Sequence, residues 1–513
     1  MLDRTPVLVG AGQYVERNAQ TAALMLSPVD IAATAARRAL ADTGADGAVG
    51  AVDTLVVIRM FEHSVGDRAM WPNPFGSTNN VPWSVAQRLG VTPRTAIYAE
   101  VGGQSPQRLV NTMAELIHAG DVRLAVLTGA EAIATIREAT RRGIALDWHE
   151  EAQGAFEDRW PGAPFVTPYE QRHGIAWPIQ VYSLFEQVRR HARHWSLDAC
   201  RADLAALFAP FSAVAAAHPY AQFPTTHTAE FLRTISPQNY ALTEPYNKWM
   251  VAQDAVNQGA AVVLTSVAVA RELGIPATQW VYLAGYGDVD DVTVLSRPHL
   301  ASSQAQNLAV QTALDAAGVD IQDIGYRDFY SCFPIAVSSI AEPLGLPLDG
   351  SVPLTVTGGL PFFGGPGNNY SMHAIATMIE RIRADRTARG LVVANGGYLS
   401  KHSAAVYSGS PAGEWAPVSS AAAQKQAKAD TGIRIDETAS GAARIESYVA
   451  VYAKGAPAGG FIIARMTADG ARCMAQVAAA DRASLACLFE EEVIGRPITI
   501  TRAGDLHRFT SAA

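Results

Sequence analysis

A glycine-punctuated apolar strand occurs twice in this chain, each time followed by an alanine-rich helix and a second strand. The first copy is Val7-Leu8-Val9-Gly10-Ala11-Gly12. A helical segment from Asp30 to Thr43 follows, with Ile31, Ala35 and Leu40 on one face, and then a buried run from Asp53 to Met60. The second copy is Val281-Tyr282-Leu283-Ala284-Gly285-Tyr286-Gly287, a helix from Asn307 to Ala317 and a strand from Asp328 to Phe333. Gly44 and Gly318 stand where each helix should stop. Two copies of one unit imply an α/β fold of duplicated, layered halves, with helices between and outside the sheets.

Size and composition narrow the function classes. A chain of 513 residues is too long for one core and should form two or three domains. Its 49% hydrophobic and 17% charged residues are those of a globular protein with sizeable buried sheets. A net charge of −8 argues against general nucleic-acid binding. The opening MLDRTPVLVGAGQ lacks a basic segment ahead of an apolar one, so no signal peptide is expected. No unbroken apolar run approaches the roughly 18 residues of a membrane span. Cys200, Cys332, Cys473 and Cys487 have neither metal nor disulfide spacing, which suits a reducing cytoplasm and predicts no metal.

The expected plan is an N-terminal half over 1–270, interrupted by a loop domain at about 132–250, and a C-terminal half over 271–408. The inserted stretch is rich in aromatic residues and proline, and a helix is expected from Ile179 to Trp195. Arg189, Arg190, His191, Arg193 and His194 make its end basic, as a solvated helix terminus or as a docking surface for phosphates. Residues 409–432 are small and polar, as in a linker. Beyond them, strand-like runs at Ala443–Tyr452, Gly460–Arg465, Met474–Ala478 and Ile498–Thr501 predict a small OB-like β-barrel over 433–513, with a hairpin turn in 455–460.

Four short segments bear on chemistry. Gly102-Gly103-Gln104-Ser105-Pro106 opens a helix that runs to Gly120. Tyr330-Ser331-Cys332-Phe333 ends a strand. In TVTGGLPFFGGPGNNY (355–370), Gly358-Gly359 leads into Gly364-Gly365-Pro366. Gly390 to Gly397 precedes Tyr398-Leu399-Ser400-Lys401-His402. In this order, and joined by Gln258-Gly259-Ala260-Ala261, they resemble the catalytic loops of thiolases over about residues 5–408. Cys332-Phe333 places the sterol-carrier-protein type nearest, and the whole outline with its extra C-terminal domain is similar to bacterial type-1 thiolase-like proteins.

That resemblance implies an acetyl-CoA acetyltransferase homologue of lipid metabolism whose reactive side chains have changed. In the family the four segments carry a nucleophilic cysteine, an Asn or His holding an oxyanion-binding water, a histidine for the thioester oxygen and an acid/base cysteine. Here Gly103, Tyr330, Gly365 and Asn395 occupy those places. Loss of one oxyanion donor costs about 10²–10³ in rate, and loss of the nucleophile removes the covalent route. Tyr330 is either an acid/base or oxyanion donor, or a packed residue at a strand end. Cys332 is either a small buried hydrophobe or a nucleophile. Asn395 can orient a ligand, and His402 is either a residual acid/base or a strand-end polar residue.

Ser105, Gly364, Gly365, Gly396 and Gly397 are the expected contacts of the ligand, coenzyme A or an acyl-CoA, with no tightly bound cofactor. The expected function is acyl-CoA binding without conventional thiolase activity. Alternatives are an acyl-CoA aldol or retro-aldol lyase using Tyr330, and a non-enzymatic binding partner or scaffold. A cytoplasmic monomer or weak homodimer is expected, off the membrane, with the C-terminal domain available to a protein partner.

Overall fold

The computed structural model describes residues 2–64, 73–160, 164–411, 413–429, 431–478 and 480–511. In chain order the body's strands are β1 (Pro6–Val15), β2 (Thr54–Val57), β3 (Thr95–Tyr98), β4 (Leu124–Ala132), β5 (Glu157–Asp158), β6 (Asn257–Ser266), β7 (Val281–Asp290), β8 (Tyr326–Phe329), β9 (Arg389–Gly396) and β10 (Lys401–Ser408). Side by side they run β5-β3-β2-β4-β6-β1-β7-β10-β9-β8. The order β2-β4-β6-β1 of the first half returns as β8-β9-β10-β7 in the second, so the duplication read from the sequence is present. The halves meet where Val7 and Leu8 pair with Tyr282 and Val281.

The twin glycines explain the twin helices. A Cβ on Gly10 or Gly12 would lie 2.1 and 2.2 Å from the carbonyl oxygens of Ala39 and Ala35 in helix Pro28–Asp42. A Cβ on Gly285 or Gly287 would lie 2.4 and 2.3 Å from those of Ala313 and Ala309 in helix Gln304–Ala317. Residues four apart share a helix face, so each helix lays an alanine stripe directly on its strand. Helices Ser105–Ala119 and Tyr370–Ala384 form the inner layer, their Leu109, Met113, Ile375 and Ile379 in one core with both halves. The strands expected at 53–60 and 328–333 stop early, at Val57 and Phe329, because the chain turns out of the sheet toward the site.

The inserted region is more helical than its composition suggests, with Ile133–Arg142, Pro178–Ala192 and Leu197–Ala217 as its longest helices. By length and composition Leu197–Ala217 could cross a membrane. The sequence reading missed it because it sought an unbroken apolar run, whereas alanines carry this one past Asp198, Arg201 and Asp203. Its Leu204, Leu207, Phe208 and Phe211 are buried in the protein core.

The basic helix end is neither a solvated terminus nor a phosphate dock throughout. Arg189 is buried against Glu186, Asp203 and Glu342. Arg190, 2% exposed, donates to Tyr448 Oη and the Glu491 carbonyl of the C-terminal domain. The rim, His191, Arg193 and His194, faces solvent.

That domain is a closed barrel of β11 (Gly441–Ala453), β12 (Ala456–Met466), β13 (Arg472–Gln476), β14 (Pro497–Ala503) and β15 (Leu506–Ser511), in the order β11-β12-β13-β15-β14. The hairpin turn falls at Lys454-Gly455, with φ of 51° and 78°, at the first residue of the cluster that suggested it. Arg472 ties the barrel to the body through the carbonyls of Leu295 and Arg297, at 2.5 and 2.7 Å.

The segment before the barrel is a strap rather than a free tether. Trp415 donates to the Leu283 carbonyl, and Ser420 and Gln424 accept the N–H groups of Asp288 and Asp290, closing the edge of β7 that β1 leaves open. At the other end of the sheet, β5 pairs with β3, and Arg59 pairs with Asp158 to hold it there.

A substitution checks the strand–helix contact. Gly285→Ala should lower stability in urea denaturation by about 1–3 kcal/mol, as overpacking does, whereas Gly459→Ala, with open space at its Cβ, should change it little.

Candidate functional site

The four expected segments converge. Gly103 precedes helix Ser105–Ala119, Tyr330 follows β8, the glycine loop precedes helix Tyr370–Ala384, and Asn395 is near the end of β9. Ser371 Oγ donates to the Gly103 carbonyl at 2.6 Å, and Asn368 Oδ1 accepts the Gly102 N–H at 3.1 Å, so the first and third segments are bolted together. The Tyr330 N–H donates to the Val393 carbonyl at 2.9 Å, which fixes the second against the fourth.

The Gly103 position is filled from across the site. An ideal Cβ there would lie 2.3 Å from Tyr330 Oη, 2.5 Å from its Cζ and 2.6 Å from the Asn395 carbonyl. No side chain fits between the Tyr330 ring and the Asn395 carbonyl as they stand. The tyrosine ring therefore occupies the volume into which a residue at 103 would project. Burial pushes its phenol well above the usual range, so it is neutral and can donate a hydrogen bond. Tyr330 Oη has no hydrogen-bond partner among the described residues, and its ring stands edge-on to Tyr370 at 5.3 Å.

The glycine loop is built from behind by Asp328. Its Oδ2 accepts from Thr355 Oγ1 and from the N–H groups of Val356 and Thr357, at 2.9 to 3.2 Å, while Oδ1 accepts from Tyr370 Oη at 3.0 Å. The loop's own donors are largely used. Gly365 N–H goes to the Gln253 carbonyl at 2.8 Å and Gly367 N–H to the Gly365 carbonyl at 2.8 Å. A Cβ on Gly365 would meet only ordinary contacts, with Gln253 O at 3.4 Å and Ala252 Cβ at 3.5 Å. Position 365 is thus free to carry a side chain and does not, whereas position 103 cannot.

The remaining candidates divide. Asn395, 1% exposed, donates through Nδ2 to Tyr182 Oη at 2.7 Å and approaches Cys332 Sγ at 3.8 Å; its Oδ1 is buried without a partner. Cys332 lies beside it, its thiol pushed up to about 12 by burial, which leaves no thiolate at neutral pH. His402 sits opposite Asn395 across the β9–β10 ladder. One ring nitrogen serves a helix cap: Nε2 meets Ser303 Oγ at 3.0 Å, and that hydroxyl donates to Asp291 and caps Gln306, while Nδ1 is buried without a hydrogen-bond partner among the described residues. Burial pulls its pKa down to about 4.

Ser105 Oγ donates to the Glu100 carbonyl at 2.8 Å. Gly364 and Gly396 press on the side-chain oxygens of Gln258 and Gln104, at 2.4 and 1.8 Å from their ideal Cβ positions. The Gly397 carbonyl accepts from Tyr182 Oη at 3.3 Å.

Two participants escaped sequence reading. Tyr182 comes from the inserted helix Pro178–Ala192, where an aromatic between Val181 and Phe185 looks like core; nothing in its spacing marks a polar tip reaching the site. Glu131, on β4, lies 2.2 Å from the ideal Cβ of Gly367 and accepts the Phe61 N–H at 2.7 Å. Burial raises its carboxyl to about 8, and an acid opposite a glycine loop has no sequence signature.

The comparisons with known proteins agree with this geometry. Over 99% of both chains, this one is 36% identical to a monomeric SCP2-thiolase like protein type 1 from Mycobacterium smegmatis, with a TM-score of 0.84. The chain belongs to the type 1 SCP2-thiolase-like proteins. Residues 423–505 match the thiolase-like protein type 1 additional C-terminal domain. The fold is shared with an acetyl-CoA acetyltransferase from Syntrophomonas wolfei, at 17% identity and a TM-score of 0.56 over 79% of this chain and 99% of that one. It is shared likewise with the Ltp2-ChsH2(DUF35) aldolase, at 17% identity and a TM-score of 0.57 over 80% of this chain and 98% of that one. The curated proteins give no match.

Two measurements follow. Gly103→Cys should destabilise the protein by about 1–3 kcal/mol through overpacking, and less in a Tyr330→Ala background, where the Asn395 carbonyl at 2.6 Å still resists, so that a double-mutant cycle reads the Tyr330 contact as non-additive. For Glu131 the folded pKa of about 8 exceeds the unfolded value of 4.5, so the unfolded chain loses this proton first. Its contribution to stability is complete below pH 4.5, falls by about 1.4 kcal/mol per pH unit from there to about 8, and is flat above. Glu131→Gln should remove that slope in chemical denaturation across the same range.

Proposed function

We propose that the pocket binds acyl-CoA thioesters and handles them without a covalent acyl-enzyme. One observation carries the reading: Tyr330 Oη stands 2.3 Å from where a Gly103 side chain would begin, so a neutral phenol replaces a thiolate in the same volume. A phenol held protonated by burial is a hydrogen-bond donor to a thioester oxygen. Helix Ser105–Ala119 begins beside it, and its N-terminal dipole favours partial negative charge on that oxygen. Family membership and the acyl-CoA enzymes among the structural relatives support the ligand class.

A second reading, an aldol or retro-aldol lyase on an acyl-CoA, draws on one further observation: Tyr330 Oη is not engaged by any described residue, so its proton is available. In the cleavage direction the C2–C3 pair of a 3-hydroxyacyl thioester would move to C2. Tyr330 would give C2 a proton, and the resulting phenolate would take back the one released by the 3-hydroxyl. An aldolase among the structural relatives supports this reading.

Thermal shift with a panel of acyl-CoA thioesters tests the binding reading, with stabilisation by at least one expected and none by any member counting against it. Product analysis separates the second: Tyr330→Phe should abolish release of an aldehyde or ketone while leaving affinity within about threefold, as loss of one hydrogen bond allows. Mass spectrometry during turnover should show no acyl adduct on the protein.

A further inference from the structure

We propose that Tyr182 is a positioning residue that turns the Asn395 amide so that its carbonyl oxygen faces the ligand, and that the pocket therefore selects a 3-hydroxyacyl over a 3-ketoacyl thioester. The proposal rests on the acyl-CoA reading above and adds the chemistry of the acyl chain.

The hydrogen-bonding capacity of Tyr182 is fully used. Its oxygen accepts Asn395 Nδ2–H at 2.7 Å and the Leu399 N–H at 2.9 Å, and its own proton goes to the Gly397 carbonyl at 3.3 Å. A hydroxyl has one proton and two lone pairs, which these three partners take up, and the Cys332 sulfur beside them lies 3.8 Å from Asn395 Nδ2 on the same side of the amide. With its proton given to Gly397, Tyr182 can only accept from Asn395. The amide must present nitrogen to Tyr182 and oxygen the other way, and Asn395 Oδ1 is the atom left buried and unpartnered. Leu399 is one of few non-glycine residues with positive φ, at 55°, and its N–H bond to Tyr182 helps hold that conformation.

The Tyr182 ring is itself fixed. It stacks on Phe333 with centroids 4.4 Å apart, and its carbonyl accepts from Tyr246 Oη at 3.2 Å. The polar tip therefore cannot swing away to let the amide turn.

The site thus includes a donor, Tyr330 Oη, and a buried acceptor without a partner, Asn395 Oδ1. A thioester carbonyl matches the donor. The acceptor requires a group bearing a proton, which a 3-hydroxyl supplies and a 3-keto oxygen opposes with its lone pairs. Sites with a committed buried acceptor discriminate by the unmatched polar group.

Calorimetric titration of 3-hydroxyacyl-CoA and 3-ketoacyl-CoA of equal chain length, with wild type and two variants, tests this. Wild type should bind the hydroxy form at least about 10-fold more tightly, one charge-free hydrogen bond against a mismatch. Tyr182→Phe keeps the ring and its stacking but frees the amide, and should bring the ratio within about threefold. Asn395→Leu, which removes the acceptor with Tyr182 intact, should also abolish the preference. A merely structural Tyr182 would weaken both ligands alike and leave the ratio unchanged, which overturns the proposal. Equal or keto-favouring binding by wild type overturns it too, while leaving acyl-CoA binding standing. Failure of every thioester to bind wild type overturns both readings.

Discussion

The close seating of an alanine stripe on a glycine-bearing strand, made once in each half, is the contact from which the rest of the body follows. With no Cβ on Gly10, Gly12, Gly285 or Gly287, helices Pro28–Asp42 and Gln304–Ala317 lie against β1 and β7 at backbone distance. β1 and β7 are also the strands through which the halves touch. Their opposite faces, with those of β4, β6 and β10, receive the two inner helices, whose N-terminal ends carry Gly103 and the glycine loop. The site is therefore placed by packing at the sheet's centre, and its loops are not free to rearrange independently.

Space decides what the site can hold. Gly103 and Gly365 both stand where the resemblance to thiolases leads one to expect reactive side chains, yet the two differ in kind. The space at 103 is filled by the Tyr330 ring and bounded by the Asn395 carbonyl, so the glycine there is a steric requirement of both. The space at 365 meets only ordinary van der Waals contact, so the missing side chain is not enforced by its surroundings. Only the first case supplies a new group in place of the old, and it is the one on which a function can be built.

Much of this was legible in the sequence. The repeat was written in glycine and alanine positions, and the four loops were readable because glycine doublets and helix stops mark backbone geometry. The barrel was readable as short strands, though β15, Leu506–Ser511, went unnoticed because it alternates around charged residues. What could not be read was partnership between distant side chains. Cys332 and His402 each had a chemical type that suggested reactivity, and only burial and bonding reveal a protonated thiol and a histidine committed to a helix cap. Tyr182 and Glu131 had no motif at all, since their significance lies in what faces them. The basic run from Arg189 to His194 suggested anions by composition, but Arg189 and Arg190 find theirs, or backbone carbonyls, inside the protein.

The helix Pro178–Ala192 carries Tyr182 near its start and Arg190 near its end, about two turns apart or some 12 Å at 1.5 Å per residue. The first grips the turn beside Asn395, and the second grips the barrel through Tyr448 and Glu491. A helix is a stiff rod over that length, so displacement at one end is transmitted to the other. The appended barrel is thus mechanically geared to the pocket, and whatever loads or shifts it would alter the aim of a single amide.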